Sequence, residues 1–136
     1  MTEMEDPLEI YRRSLAEVQP ISEAHPPRIE RAEVWPYPDL AKLWVRLEVS
    51  PFAAFPNLAF TVTGPDDDIV CTMFMVEIRE LYQSVTLHLR QDPRPGETYH
   101  LLIELSRDEE MLDERTLDFE LVFKDPAQNN PSGGQP

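Results

Sequence analysis

Cysteine occurs once in this chain, at Cys71, and glycine only four times, at positions 64, 96, 133 and 134. A lone cysteine forms no internal disulfide, which excludes a disulfide-stapled secreted framework. Set inside an apolar run, Cys71 reads as a small buried residue rather than a nucleophile. Four scattered glycines leave no Gly-rich loop of the kind that cradles phosphate. Basic residues are scarce too: 12 Lys and Arg stand against 26 Asp and Glu, a formal net charge of -14. Nucleic acid and anionic membrane are recognised through Lys/Arg footprints, so neither is an expected partner. No apolar stretch approaches the length needed to span a bilayer. The acidic start, Met1-Thr2-Glu3-Met4-Glu5-Asp6-Pro7, lacks the apolar core of a signal peptide. The expectation is a soluble, cytoplasmic protein.

Catalytic and metal signals are equally sparse. His25, His88 and His100 fall in no His-x-His pair, and no Cys-x-x-Cys is present, so no zinc ligand set is expected. Ser14, Ser22, Ser50, Ser84, Ser106 and Ser132 lack the Gly-x-Ser-x-Gly setting of a hydrolase nucleophile. Glu109-Glu110 and Asp113-Glu114 are read as one solvated acidic loop, not as two carboxylates held in different environments for acid–base work. No catalytic residue, resident metal or cofactor is expected, and the chain reads as non-enzymatic.

What the chain does have is alternation. Leu43-Trp44-Val45-Arg46-Leu47-Glu48-Val49 and Leu117-Asp118-Phe119-Glu120-Leu121-Val122-Phe123 place apolar and polar side chains on opposite faces of a strand. Seven such strands are expected, at about 28–34, 42–49, 57–63, 69–78, 82–90, 98–106 and 115–123. Turn chemistry separates them at Pro36-Tyr37-Pro38-Asp39, Pro51 to Pro56, Gly64-Pro65-Asp66-Asp67-Asp68 and Asp92-Pro93-Arg94-Pro95-Gly96. The inward set is Leu43, Val45, Leu47, Val49, Leu58, Phe60, Val62, Val85, Leu87, Leu89, Tyr99, Leu101, Ile103, Leu105, Leu117, Phe119, Leu121 and Phe123, the core of two stacked sheets. Trp44 alternates with this set and points outward.

A short helix is expected ahead of the sheets, over residues 6 to 19. Asp6 caps it, Pro7 suits its first position, and Leu8, Tyr11, Leu15 and Val18 form one apolar stripe. The organisation is therefore a helix and Pro-rich linker over 1–26, a β-sandwich over 27–124 and a structureless tail over 125–136.

One passage adds a resemblance. Leu89-Arg90-Gln91-Asp92-Pro93-Arg94-Pro95-Gly96-Glu97-Thr98-Tyr99-His100-Leu101-Leu102-Ile103 resembles the strand, Pro-Gly turn, tyrosine and alternating strand of fibronectin type III and related immunoglobulin-like domains. The resemblance is one of fold, not of a specific family. It implies an all-β, immunoglobulin-like, seven-stranded antiparallel β-sandwich, here carrying a short N-terminal α-helix. It implies that Tyr99 forms a tyrosine corner with nearby backbone. It implies no activity.

Three surfaces are candidates for binding. Strand four is apolar on both faces. If Ile69, Cys71, Met73 and Met75 point inward, then Val70, Phe74, Val76 and Ile78 point outward, and the immunoglobulin-like resemblance implies that strands three, four, six and seven share a sheet, which adds Leu102 and Val122 to them. Phe74, Val76, Ile78, Leu102 and Val122 are thus one candidate interaction face, covered either by the N-terminal helix or by a partner protein or second copy. The loop aromatics Phe52, Phe55, Trp35 and Tyr37 form a second candidate, as a ligand site or as a plug for the sandwich end. The Asp66-Asp67-Asp68 turn offers oxygens to calcium, although consecutive side chains diverge. The expected function is protein–protein association or homodimerisation. The alternative is a calcium- or small-ligand-binding sandwich.

Overall fold

The computed structural model describes residues 25–126 of the chain, and these are all-β. Strands β1 (Ile29–Pro36), β2 (Lys42–Val49) and β5 (Tyr82–His88) form a three-stranded sheet in the order β1-β2-β5. Strands β3 (Asn57–Thr63), β4 (Ile69–Met75), β6 (Thr98–Arg107) and β7 (Glu110–Glu120) form a four-stranded sheet in the order β4-β3-β6-β7. Every pairing is antiparallel. The result is an immunoglobulin-like, seven-stranded β-sandwich, with strands three, four, six and seven in one sheet as the resemblance implied. The expected helix with Leu8, Tyr11, Leu15 and Val18 lies outside the described residues, as does the tail from residue 127. Among the described residues no helix is long and apolar enough to cross a membrane.

Alternation builds the core directly. Leu43, Val45, Leu47 and Val49 of β2 face Leu58, Phe60 and Val62 of β3 and Leu101, Ile103 and Leu105 of β6, all of them buried. Each such side chain contributes about 1.5–3 kcal/mol on burial. Ser50, the buried polar residue at the end of β2, is satisfied: Arg28 N–H donates to its Oγ at 2.8 Å, and its own N–H donates to Arg28 O. The sandwich edge between the sheets is closed by side chains. Asp113 Oδ2 accepts from Ile29 N–H at 2.8 Å, and Arg115 Nη2 donates to Ile29 O at 2.8 Å. Two β7 side chains thus occupy backbone groups that β1 would otherwise leave open at its start.

Tyr99 is buried at the start of β6, and its hydroxyl accepts from Arg94 N–H at 3.1 Å. The turn between them needs Gly96, whose φ is +82°. The Tyr99 ring stacks on Phe119 with centroids 6.0 Å apart. This is the corner geometry that the resemblance implied.

Several strand limits differ from the sequence expectation. β1 runs on through Trp35 and Pro36, because an edge strand tolerates a residue that has no N–H to donate. β7 begins at Glu110, not near 115, because Asp108 and Glu109 both adopt positive φ and close a two-residue hairpin. The segment read as an acidic loop is therefore mostly strand. At the far end β7 stops at Glu120. Leu121 is still pinned by Glu97 O, but Val122 N–H bonds back to Glu120 O and turns the chain away. Phe123, expected in the core, is consequently exposed.

Replacing Tyr99 by Phe keeps the ring packing and removes the corner bond. The expected loss is about 1 kcal/mol in urea denaturation, with the m-value unchanged. Cys71 is buried, and burial pushes its thiol pKa up. The folded chain holds that proton while the unfolded chain releases it near its ordinary value of about 8.5. The stability associated with the buried thiol is therefore full below that pH and falls as pH rises toward the folded value. Cys71→Ala should flatten this alkaline decline in a pH series of denaturation midpoints.

Candidate functional site

The outer face of the three-stranded sheet carries side chains set in cross-strand rows and linked by hydrogen bonds. Cross-strand register fixes its rows. Trp35, Trp44 and Thr86 stand side by side; Glu33, Arg46 and Ser84 form the next row; Arg31, Glu48 and Tyr82 the one after. Beyond the tryptophans, Lys42 pairs with His88, and Tyr37 follows β1 at the turn. These positions share a face because each is two residues from the next along its strand.

Hydrogen bonds hold this face in place. Trp35 Nε1 donates to Glu33 Oε1 at 3.2 Å, and Trp44 Nε1 donates to Ser84 Oγ at 2.7 Å. The Tyr37 hydroxyl and Thr86 Oγ1 are 3.1 Å apart. The Arg46 guanidinium lies over the Trp44 ring, 5.1 Å from its centroid, and reaches Glu33 at 3.9 Å. Lys42 Nζ lies 5.3 Å from the Tyr37 centroid and donates to Asp39 Oδ2 at 2.7 Å. That donation, with a second from Ala41 N–H, holds the Asp39 carboxyl below its ordinary pKa. Two concavities open here. One, of about 350 Å³, is lined by Trp35, Pro36, Tyr37, Pro38, Trp44, Phe123 and Pro126. The other, of about 290 Å³, lies between Glu33, Arg46, Ser84 and Tyr82. Tyr82 is 69% exposed. Cationic and anionic groups alternate across the rows, so their charges largely cancel.

The four-stranded sheet presents a different outer face. The apolar face expected from Phe74, Val76, Ile78, Leu102 and Val122 does not form. Phe74 and Val76 are each 76% exposed, but Ile78 is only 4% exposed. Strand β4 ends at Met75, Glu77 takes positive φ, and Ile78 N–H bonds to Pro56 O, which swings Ile78 into the core. Val70, also expected outside, is buried, and Ile69, expected inside, is exposed. A register shift places Val62 opposite Cys71 and Thr63 opposite Ile69, so Val70 is the extra residue of a bulge. Val122 lies past the end of β7, off the face. Leu102 is flanked by Thr61 and Thr116, and Phe74 by Ala59, with Glu104 and Glu114 opposite one another beyond. Threonines and carboxylates break up the remaining apolar positions.

The loop aromatics are separated as well. Trp35 and Tyr37 adjoin the β1–β2 turn, whereas Phe52 and Phe55 lie in the β2–β3 connection at the other end of the sandwich. Phe52 packs on the core and meets Phe55 edge to face, with centroids 6.3 Å apart. Arg79 covers Phe55 at 4.4 Å, and Arg107 Nη1 donates to Ala54 O. The phenylalanines close their end; the Trp35–Tyr37 pair belongs to the outer face described above. In the Gly64–Asp68 hairpin, Asp66 Oδ2 accepts from Arg94 Nη1 at 2.6 Å, so one carboxylate of the calcium candidate is engaged by a cation. His88 and His100 lie in opposite sheets, and His100 Nδ1 is 2.7 Å from Asp118 Oδ1. Among the described residues, no cluster of three or more His, Cys, Asp or Glu is placed to hold a metal.

The tryptophan row was within reach of the sequence. Trp44 points outward by alternation, and Trp35 lies as far before the centre of the Tyr37–Lys42 turn as Trp44 lies after it. A hairpin across that turn pairs the two. Assigning Trp35 to the turn itself hid the pairing.

No family model matches the chain, and no curated protein matches its sequence. Solved structures do resemble it. A glycosyl hydrolase family 2 member from Bacteroides cellulosilyticus aligns over 71% of this chain and 14% of its own, at 14% identity and TM-score 0.55. A Lactobacillus rhamnosus β-glucuronidase aligns over 71% of this chain and 16% of its own, at 16% identity and TM-score 0.52. A β-glucuronidase from Ruminococcus gnavus gives 71%, 16%, 13% identity and TM-score 0.51. At these identities the likeness is one of fold. The chain spans only a small part of those much longer proteins.

Burial separates Ile78, just past the end of β4, from Phe74 within it. Ile78→Ala should cost about 2–4 kcal/mol in chemical denaturation. Phe74→Ala should stay within about 0.5 kcal/mol of the parent.

Proposed function

We propose that this domain is a non-enzymatic interaction module whose binding surface is the outer face of the three-stranded sheet. The observation that carries this reading is the Trp35–Trp44 pair, held on the surface by its own hydrogen bonds. Large aromatic side chains are the residues through which binding surfaces gain most of their energy. Fixing their rotamers before binding reduces the entropy lost when a partner arrives. The acidic four-stranded face is the weaker candidate for association, since its large exposed apolar side chains are split between Ile69, Phe74 and Val76 along one edge and Met111 on the other.

The division into sheets of three and four strands, with the Tyr99 corner, supports placing the module among fibronectin type III and related immunoglobulin-like sandwiches. The glycosidases that share the fold match it over a small fraction of their length, which favours a non-catalytic sandwich working beside other domains or proteins. A calcium role for the Gly64–Asp68 hairpin is disfavoured by the Arg94–Asp66 pair.

A fragment screen by two-dimensional NMR on the full chain tests the choice of face. Bound fragments should shift the Trp35 and Trp44 indole signals and the backbone of residues 33–46 and 82–86, because binding hot spots collect small ligands. Hits concentrated at Phe74 and Leu102 would place the surface on the other sheet and refute the reading.

A further inference from the structure

We propose that the Trp35–Trp44 platform binds a neutral saccharide. This rests on the reading of the outer three-stranded face as the binding surface, and adds the chemical class of its ligand.

The tryptophans offer ring surface rather than donors, and on Trp44 that surface is shared with the Arg46 guanidinium, 5.1 Å from the ring centroid. Both indole N–H groups are committed inside the protein, to Glu33 and to Ser84. A ligand that needs indole donors is therefore poorly served. A polyproline-type peptide presents unpaired backbone carbonyls. Laid on these rings, it would find neither indole N–H free to meet those acceptors, at a cost. A nucleotide stacks well on indole but brings phosphate, and each cation here stands beside a carboxylate, which leaves no net positive charge to hold it. Arg46 meets Glu33 and Trp44, and Lys42 meets Asp39 and Tyr37.

A sugar ring meets the same surface on favourable terms. One side of a pyranose is lined by C–H groups carrying partial positive charge, and these face the negative π-surface of an indole. Its rim carries hydroxyls, each both donor and acceptor. The row beside the tryptophans supplies a matching mixture: the Glu33 carboxylate accepts, the Arg46 guanidinium donates, and their separation of 3.9 Å leaves neither saturated by the other. Further along lies Glu48, beside the exposed ring of Tyr82. Opposite charges in adjacent positions cancel, which suits an uncharged ligand on a chain whose net charge is -14. The two concavities, of about 350 and 290 Å³, occupy neighbouring rows of this one face. Trp44 and Glu48 are four residues apart, about 13 Å along an extended strand. That span takes an oligosaccharide lying along the strands rather than a single sugar. An aromatic floor with a few polar groups at its side is the general form of a small-ligand site.

The test is titration of the full chain with cellohexaose, xylohexaose, mannohexaose and maltohexaose, followed by indole Nε1–H shifts and tryptophan fluorescence. At least one should give saturable shifts of both indoles. Trp35→Ala and Trp44→Ala should each weaken that binding by about tenfold, the scale of one lost ring stack. Trp44→Phe keeps a ring and should retain most of the affinity, which separates stacking from a folding defect. A polyproline decapeptide serves as the competing probe. If no saccharide shifts the indoles, or if binding survives both alanine variants, the saccharide inference is overturned. If the decapeptide alone shifts them, the ligand class is wrong while the choice of face stands. If the fragment screen finds nothing on this face, the surface itself is wrong.

Discussion

Everything in this sandwich depends on burying one side of each sheet against the other. β2, β3 and β6 supply the middle of that contact, and their inward side chains are almost wholly inaccessible. A period-two strand that buries one face must present the other to solvent. The requirement that places Leu43, Val45 and Leu47 inside also places Trp44 and Arg46 outside, at fixed spacing on a rigid support. The core therefore does more than stabilise the fold. It sets the register in which the candidate binding residues stand.

The two outer faces differ in character although the same alternation produced them. On the four-stranded sheet the outward positions are threonines, carboxylates and a few isolated apolar groups, with Glu104 opposite Glu114. Like charges in direct register oppose pairing, and they leave that face acidic and well hydrated. On the three-stranded sheet, cations and anions alternate and aromatic rings lie between them. Internal hydrogen bonds and cation–π contacts fix those rings. Such a surface is preorganised, whereas the isolated Phe74 at the β4 edge has no comparable support.

The closing devices of the fold are small and specific. Asp113 and Arg115 tie β7 to the first residue of β1, Ser50 fastens the incoming chain, and Tyr99 locks the turn before β6. Each satisfies a backbone group near a strand end, where the ladder runs out. The acidic residues at 113 and 114, which look alike in the sequence, do different work for this reason. Asp113 reaches across to β1, while Glu114 faces solvent beside Glu104.

The sequence by itself determined the strands and the inward set at β2, β3, β5 and β6, while the grouping of strands three, four, six and seven in one sheet and the corner at Tyr99 came with the immunoglobulin-like resemblance of one turn passage. The strands and their inward faces follow from period-two patterning and local turns, both encoded within a few residues. The tertiary structure alone decided what happened where a strand bulged or ended. The bulge at Val70 reversed the faces of Ile69 and Val70, and the bend after Met75 buried Ile78. The turn at Val122 expelled Phe123, and two positive-φ residues changed an acidic loop into strand. A one-residue slip moves a side chain to the opposite face, and nothing in a binary pattern marks where that slip occurs. The pairing of Trp35 with Trp44 is of the same kind. Two tryptophans nine positions apart become one platform because a hairpin across Tyr37–Lys42 brings them level.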